Sequence, residues 1–168
     1  MNDEICDQLY AKKTELFSLS TSCGKREDSI AQELYSVLEP WVFENVNYPG
    51  LFGWEEFKSD KCVRLKNGRV IIEVKKVIEK TEYGYWHGLI QSLIYRFQEN
   101  EKNSTENMLF LCIILDWGRK SSMQMDEKEK RFLSMYIDQQ IYFARISMSC
   151  HFFIEHNLKG EWTLVNKE

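Results

Sequence analysis

Asp60, Glu73 and Lys75 are the residues of this chain whose types and spacing could do chemistry together. Two carboxylates meeting at one point offer hard oxygen ligands, which suit Mg2+ or Mn2+. A cation held there lowers the pKa of a bound water and clamps a phosphate, and a lysine beside it stabilises the phosphate charge or positions the water. The residues alone leave a plainer reading open. Asp60 and Lys75 could form a cross-strand ion pair on a wet surface, with Glu73 merely solvated.

The segment that must position them is "SDKCVRLKNGRVIIEVKK", residues 59 to 76. Asn67-Gly68 between two extended runs is a strong signal for a two-residue hairpin turn. A turn centred on Asn67-Gly68 pairs Lys66 with Arg69, sets Cys62 opposite Glu73, and sets Asp60 opposite Lys75. Paired residues share a face, and so do residues two apart along a strand. Asp60, Cys62, Glu73 and Lys75 then project from one side, with Asp60 and Glu73 as diagonal neighbours roughly 7–8 Å apart. Val70, Ile72, Val74 and Ile78 form the opposite, core face, and Lys76 belongs to it by parity. A slip of one residue would break the arrangement.

Around this hairpin the chain reads as helix, helix, strand, hairpin, helix, buried strand, helix and two strands. Ile5, Leu9, Leu16 and Phe17 predict an amphipathic helix over 3–17. Ser29 with Gln32 predicts a capping box for a second helix, bearing Ile30, Leu34, Val37, Leu38 and Trp41 and ended by Pro40. Residues 45–57 predict a first strand. Trp86, Leu89, Ile90, Leu93, Ile94 and Phe97 predict a helix over 84–98. Gly84, Gly88, Gln91 and Tyr95 share one stripe of it, where small residues permit close approach of a sheet or of a nucleic-acid backbone. His87 lies beside that stripe. "MLFLCIIL" at 108–115 predicts a strand buried on both faces. Residues 126–146 predict one helix, and "CHFFIE" and "EWTLV" two short strands. A hairpin followed by a crossover helix and a buried strand predicts an α/β fold: a mixed central β-sheet flanked by helices, with a parallel pair across helix 84–98.

Length, composition and charge narrow the classes. With 168 residues the chain is expected to form one domain. No apolar run approaches the roughly 20 residues of a membrane span, and "MNDEICDQLY" lacks the pattern of a signal peptide. The five scattered cysteines have no zinc spacing, so a reducing cytoplasm is the expected setting. No phosphate loop, dinucleotide fingerprint or nucleophile elbow is present. His151 and His156 with Glu155 are a weak metal-cluster pattern. Net charge is −4, which does not itself point to nucleic acid, yet residues 58–80 hold eight Lys or Arg against three Asp or Glu. Such local basicity can hold phosphates or simply be a solvated strand surface.

Asp60, then Glu73-Val74-Lys75 on the next strand, then a helix bearing Gln91, resembles the PD-(D/E)xK, or restriction-endonuclease-like, nuclease superfamily. The resemblance covers about Asp28 to Asp116, just over half the chain. It implies a core of helix, three-stranded meander, crossover helix and further strand, with the N-terminal helix and the C-terminal helix and hairpin as elaborations. It also implies Mg2+ (or Mn2+) held by Asp60 and Glu73, Lys75 at the phosphate, and phosphodiester hydrolysis of nucleic acid, DNA first. A glutamate on the first core helix would be Glu33, ahead of Glu39 and Glu44. Gln91 with Tyr95 matches a glutamine–tyrosine pair that several such families carry. Ser59 stands where the motif has proline. Double-strand cutting would call for a homodimer. Two other classes remain: a non-catalytic binding module of the same fold, inhibitor- or immunity-like, and an unrelated α/β protein.

Overall fold

The computed structural model describes residues 1–48, 51, 57–79, 81–149 and 152–166, with the side chains of 57–60 and 81–83 outside the description. Three helical segments lead: α1 (Asn2–Ala11), α2 (Lys13–Ser18) and, after a 3-10 turn, α3 (Glu27–Val37). β1 (Phe43–Tyr48), β2 (Phe57–Leu65) and β3 (Gly68–Val77) form an antiparallel meander. α4 (Thr81–Glu101) crosses over to β4 (Met108–Asp116), which lies parallel to β3. α5 (Glu127–Ser134) then leads to β5 (Ile141–Ser147), parallel to β4, and β6 (Phe153–His156) and β7 (Thr163–Asn166) complete the sheet by antiparallel pairing. The seven strands follow sequence order across the sheet. The expected α/β class, the flanking helices and the parallel β3–β4 pair are all observed. No described helix is long and apolar enough to cross a membrane.

Two apolar layers sandwich the sheet. Ile5, Leu9, Leu16, Ile30, Leu34 and Leu38 of the leading helices pack on Val70, Ile72, Val74 and the odd-numbered residues of β4. On the other face Leu89 and Tyr95 of α4 and Leu133 of α5 cover Ile71, Phe110, Cys112, Ile114 and Phe143. β4 is buried at all nine positions, which is why its sequence shows no alternation. Ile78 departs from the expected core face: it follows the end of β3 and is 44% exposed.

Three element boundaries differ from expectation. The first predicted helix is two, because Lys12 leaves helical geometry at φ −103°, ψ 10°. The expected capping box at Ser29 does not form, since α3 starts two residues earlier and Ser29 sits in its first turn. A capping box does form at Asp126–Glu129. The predicted helix over 126–146 is α5, a 3-10 turn and β5. Gln140, at φ 60° and ψ 34°, reverses the chain, and "IYFARIS" continues as a strand beside β4. Its apolar residues fit a 3.6 period by accident, and the vacant edge of β4 decides the matter. The predicted strand over 45–57 is β1 up to Tyr48, and its last residue Phe57 opens β2; residues 49–50 and 52–56 of it, and His151, fall outside the described residues.

α1 is tied to the far side of the sheet by Tyr10, whose hydroxyl lies 2.7 Å from Nε2 of the fully buried His156. Burial, aided by Lys159, lowers the His156 pKa to about 4, so the fold prefers the neutral ring. A lowered histidine contributes stability that is present above its unfolded value and lost as pH falls toward the folded one. Urea unfolding should therefore show roughly 3 kcal/mol lost between about pH 7 and pH 4 from this group. His156→Gln should flatten that slope, and an equally steep slope in the variant would refute the assignment.

Candidate functional site

The hairpin register sets the site, and it differs from the sequence expectation by two. Leu65 pairs with Gly68 and Lys61 with Ile72, so the turn is Lys66-Asn67 rather than Asn67-Gly68. Gly68, at φ +152°, is needed for a different reason. A Cβ there would lie 2.2 Å from the Asn107 carbonyl oxygen, and Arg69 N–H donates to that same oxygen at 2.9 Å. Because the shift is by two, parity is kept, and even residues of β2 still share a face with odd residues of β3. In this register Asp60 does not pair with Lys75 as expected, because the pairing of β2 with β3 stops at Lys61–Ile72. Asp60 itself belongs to β2 by its backbone and pairs with Val46 of β1; its side chain is outside the described residues.

The described β2–β3 pairing ends at Lys61–Ile72, one step short of Glu73. Odd residues of β3 turn their backbone groups toward β4, as Arg69 N–H and Val77 C=O show. The Lys76 N–H therefore points toward the β2 side, past the end of that pairing. Glu27, the first residue of α3, accepts it through Oε2 at 2.9 Å. Lys76 Nζ donates to the Lys25 carbonyl, so Lys76 braces α3 and takes no part in the Glu73 face.

β3 is buried through Val70–Val74 and keeps partial exposure at Lys75 and Lys76, so Glu73 is not merely solvated. Glu73 is 4% exposed. Lys75 Nζ contacts Glu73 Oε1 and lies 3.6 Å from Glu27 Oε1. Tyr95 donates its hydroxyl to Glu73 Oε2 at 3.3 Å, and Gln91 Nε2 donates to the Tyr95 hydroxyl at 3.3 Å. Gln91, Tyr95, Glu73, Lys75 and Glu27 thus form one continuous polar chain, running from the buried Tyr95 and Glu73 out to the exposed Glu27. Tyr48 stacks on Tyr95 with centroids 4.4 Å apart and donates to Glu99 at 3.0 Å. Of the predicted residues, Glu73, Lys75 and Gln91 are brought together. Glu33 is not: it accepts from Ser22 and Lys25. The helix glutamate that reaches Lys75 is Glu27. Its position just ahead of the apolar stripe of α3 is the signal that could have singled it out.

Electrostatics follow from burial. Desolvation raises the Glu73 pKa, against the pull of Lys75 and the Tyr95 hydrogen bond. For Lys75 desolvation acts to lower the pKa, but Glu73 and Glu27 outweigh it and the net shift is upward. Neighbouring basic residues are largely spoken for. Arg64 meets Glu44 and Glu106, Arg69 meets Glu106 and Glu99, and Lys61 meets Asn45. Among the described basic side chains of 58–80, Lys61, Arg64, Arg69 and Lys75 thus have partners.

α4 closes the site from above. A Cβ at Gly88 would lie 2.2 Å from Cys112 Sγ and 3.6 Å from Lys75 Cγ, and one at Gly84 would lie 2.2 Å from Val77 Cγ2. The glycines of this helix serve helix–sheet contact, and Cys112 is the small buried residue that contact needs. Gly88→Ala should cost about 1–3 kcal/mol by overpacking, less about 1 kcal/mol of gained helix propensity. Cys112→Ala added to it should recover most of the loss in urea unfolding, and two costs that simply add would contradict the contact.

The donor set around Glu73 is oxygen, the kind a hard cation takes. Among the described residues no group of three or more His, Cys, Asp or Glu side chains is arranged around one metal position. Comparison of the chain with protein-family models, with curated proteins and with solved structures finds no match in any of the three.

Proposed function

We propose that this chain is a metal-dependent phosphodiester hydrolase acting on nucleic acid, with DNA as the first substrate to try, built as one domain on a restriction-endonuclease-like core. The observation that carries the reading is the buried Glu73 in contact with a largely sequestered Lys75, at the point where the described β2–β3 pairing ends. Burying two charges costs several kcal/mol each before pairing returns it, and such placements concentrate at functional sites. The order α3, β1–β2–β3, α4, β4 supports it, as does the polar chain from Gln91 to Glu27.

Asp60 and Glu73 would hold Mg2+ or Mn2+. That ion, when bound, supplies positive charge to the phosphate and an acidified water. The chain's own residues do the rest. Tyr95, fixed by Gln91 and stacked on Tyr48, orients the Glu73 carboxylate. Lys75 holds a proton at Nζ and sets positive charge beside that carboxylate. Glu27 holds the ammonium at the end of the described β2–β3 pairing. Double-strand cutting would use two copies of the chain.

The test is cleavage of plasmid, single-stranded DNA and single-stranded RNA with Mg2+, Mn2+ or chelator, by the wild-type chain and by Glu73→Ala and Lys75→Ala. Metal-dependent cleavage lost in both variants supports the assignment. Cleavage that persists in both refutes it.

One observation favours a second reading, a non-catalytic binding module of the same fold. Lys75 is already held between Glu73 and Glu27, and a closed triad of charges can be purely structural. In that case the double variant Glu73→Gln/Lys75→Met keeps stability and partner binding alike, and the wild-type chain cleaves nothing.

A further inference from the structure

A cavity of about 150 Å³ lies between α4 and α5, lined by Tyr85, Trp86, Met125, Glu129, Phe132 and Leu133. Its walls are mostly apolar and three of them are aromatic. Trp86 is 50% exposed although it forms a wall. Trp86 and Phe132 have centroids 5.3 Å apart and planes tilted by 54°, so the two rings make an open corner rather than a closed stack. The Tyr85 ring supplies one wall, while its hydroxyl is buried on the side of the Arg145, Asp116 and Glu155 charges and without a hydrogen-bond partner among the described residues. The Met125 wall is fixed: its N–H donates to Glu155, which Arg145 grips in turn.

We infer that this cavity takes one unstacked base of a single-stranded nucleic acid, one or two nucleotides from the phosphodiester presented to Lys75. The inference rests on the nuclease reading for its choice of ligand. A cavity of this volume is the size of a single six-membered ring. Aromatic walls hold bases by stacking without regard to sequence. Glu129 at the rim repels a phosphate, so a ring enters while its backbone stays outside. Placement on the helix supplies the rest. Trp86 is two residues from Gly88, where an added Cβ would lie 3.6 Å from Lys75 Cγ. That is about half a turn of α4, so pocket and lysine sit on different sides of one helix roughly 10 Å wide. A base and a phosphate one or two nucleotides away span such a distance, provided the strand is single and can splay.

The test is fluorescence anisotropy of a labelled single-stranded 12-mer, in chelator so that nothing is cut, against the same sequence as a duplex. Single strand is expected to bind more tightly than duplex. Trp86→Ala, at a half-exposed position, should weaken single-strand binding about tenfold or more and leave duplex binding unchanged. A scan with one abasic position at a time, using the wild-type protein, should show one position whose loss costs a similar factor. Wild-type affinity in Trp86→Ala together with a flat abasic scan would overturn the inference while leaving the nuclease reading intact. Trp86-dependent binding by a protein that cleaves nothing would fell the nuclease reading and keep the pocket. No binding of either strand form would overturn the inference outright.

Discussion

Lys75→Met should lose about 10²–10³-fold in nucleic-acid cleavage with Mg2+ and still fold. The loss follows from removing the one ammonium that sits on Glu73, since a single positioned charge or donor on a developing negative charge contributes about that much. Survival of the fold follows from Glu73. Burial already raises its pKa, and without Lys75 it rises further and the carboxyl takes up a proton instead of standing as a bare buried charge. A raised carboxyl contributes stability below its unfolded pKa and loses it as pH rises through the folded value. The variant should therefore lose stability more steeply than wild type as pH rises above the ordinary carboxylate range. Under the proposed nuclease reading, the same raised pKa in the wild-type chain would delay formation of the carboxylate that a cation needs. Cleavage should climb with pH only above the ordinary carboxylate range, in a rate profile run from about pH 4 to 8. Full activity in the ordinary carboxylate range, or undiminished cleavage by Lys75→Met, would remove these residues from the chemistry.

Arg145→Met should cost about 3–5 kcal/mol, the largest stability effect expected in this protein from a single side chain outside the aliphatic core. The Arg145 guanidinium is 2% exposed and donates to Asp116 Oδ2 at 2.9 Å and to Glu155 Oε2 at 2.9 Å. It also donates to the carbonyls of Lys120, Ser121 and Met123, pinning the segment between β4 and α5. Asp116 and Glu155 are 0% and 1% exposed, so removing the cation leaves Asp116 without a charged partner away from water and Glu155 with Lys130, 3.6 Å away, as its remaining cation. Lysine should rescue little, because a point charge cannot reproduce the planar fork that meets both acids and three carbonyls. Urea unfolding reads the cost directly, and thermal unfolding should fall by roughly 10 °C. A variant within about 1 kcal/mol of wild type would mean the acids find water or protons without difficulty.

The same arginine shows where reading the chain stops. Arg145 stands in "YFARISM", and nothing local marks it as the centre of a buried network. Its partners come from β4, β6 and the β4–α5 connection, brought together only by the parallel placement of β5. The helical period expected through 126–146 failed for a related reason. Short apolar runs satisfy helix and strand periods alike, and the choice fell to the free hydrogen-bonding edge of β4. Glu27 and Glu33 are another such pair. Both lie on α3, and only the approach of its first turn to the edge of β3 decides that Glu27 meets Lys75.

Other features were local and therefore legible. The unbroken apolar run of β4 needed no partner to declare itself buried. The Gly84, Gly88, Gln91, Tyr95 stripe announced one face of α4, and that face meets β3 and β4. Asn-Gly located the hairpin, and parity placed Glu73 and Lys75 on one side of it whether the paired residues summed to one odd number or the next. What the sequence determined by itself was thus the existence and order of most elements and the face each polar residue takes, because side-chain alternation is a property of the strand alone. What only the tertiary structure decided was register, partners and burial. The Asn107 carbonyl moved the turn, α4 and α3 enclosed Glu73 and Lys75, and α5 met α4 to leave the aromatic cavity, all through contacts between residues far apart in the chain.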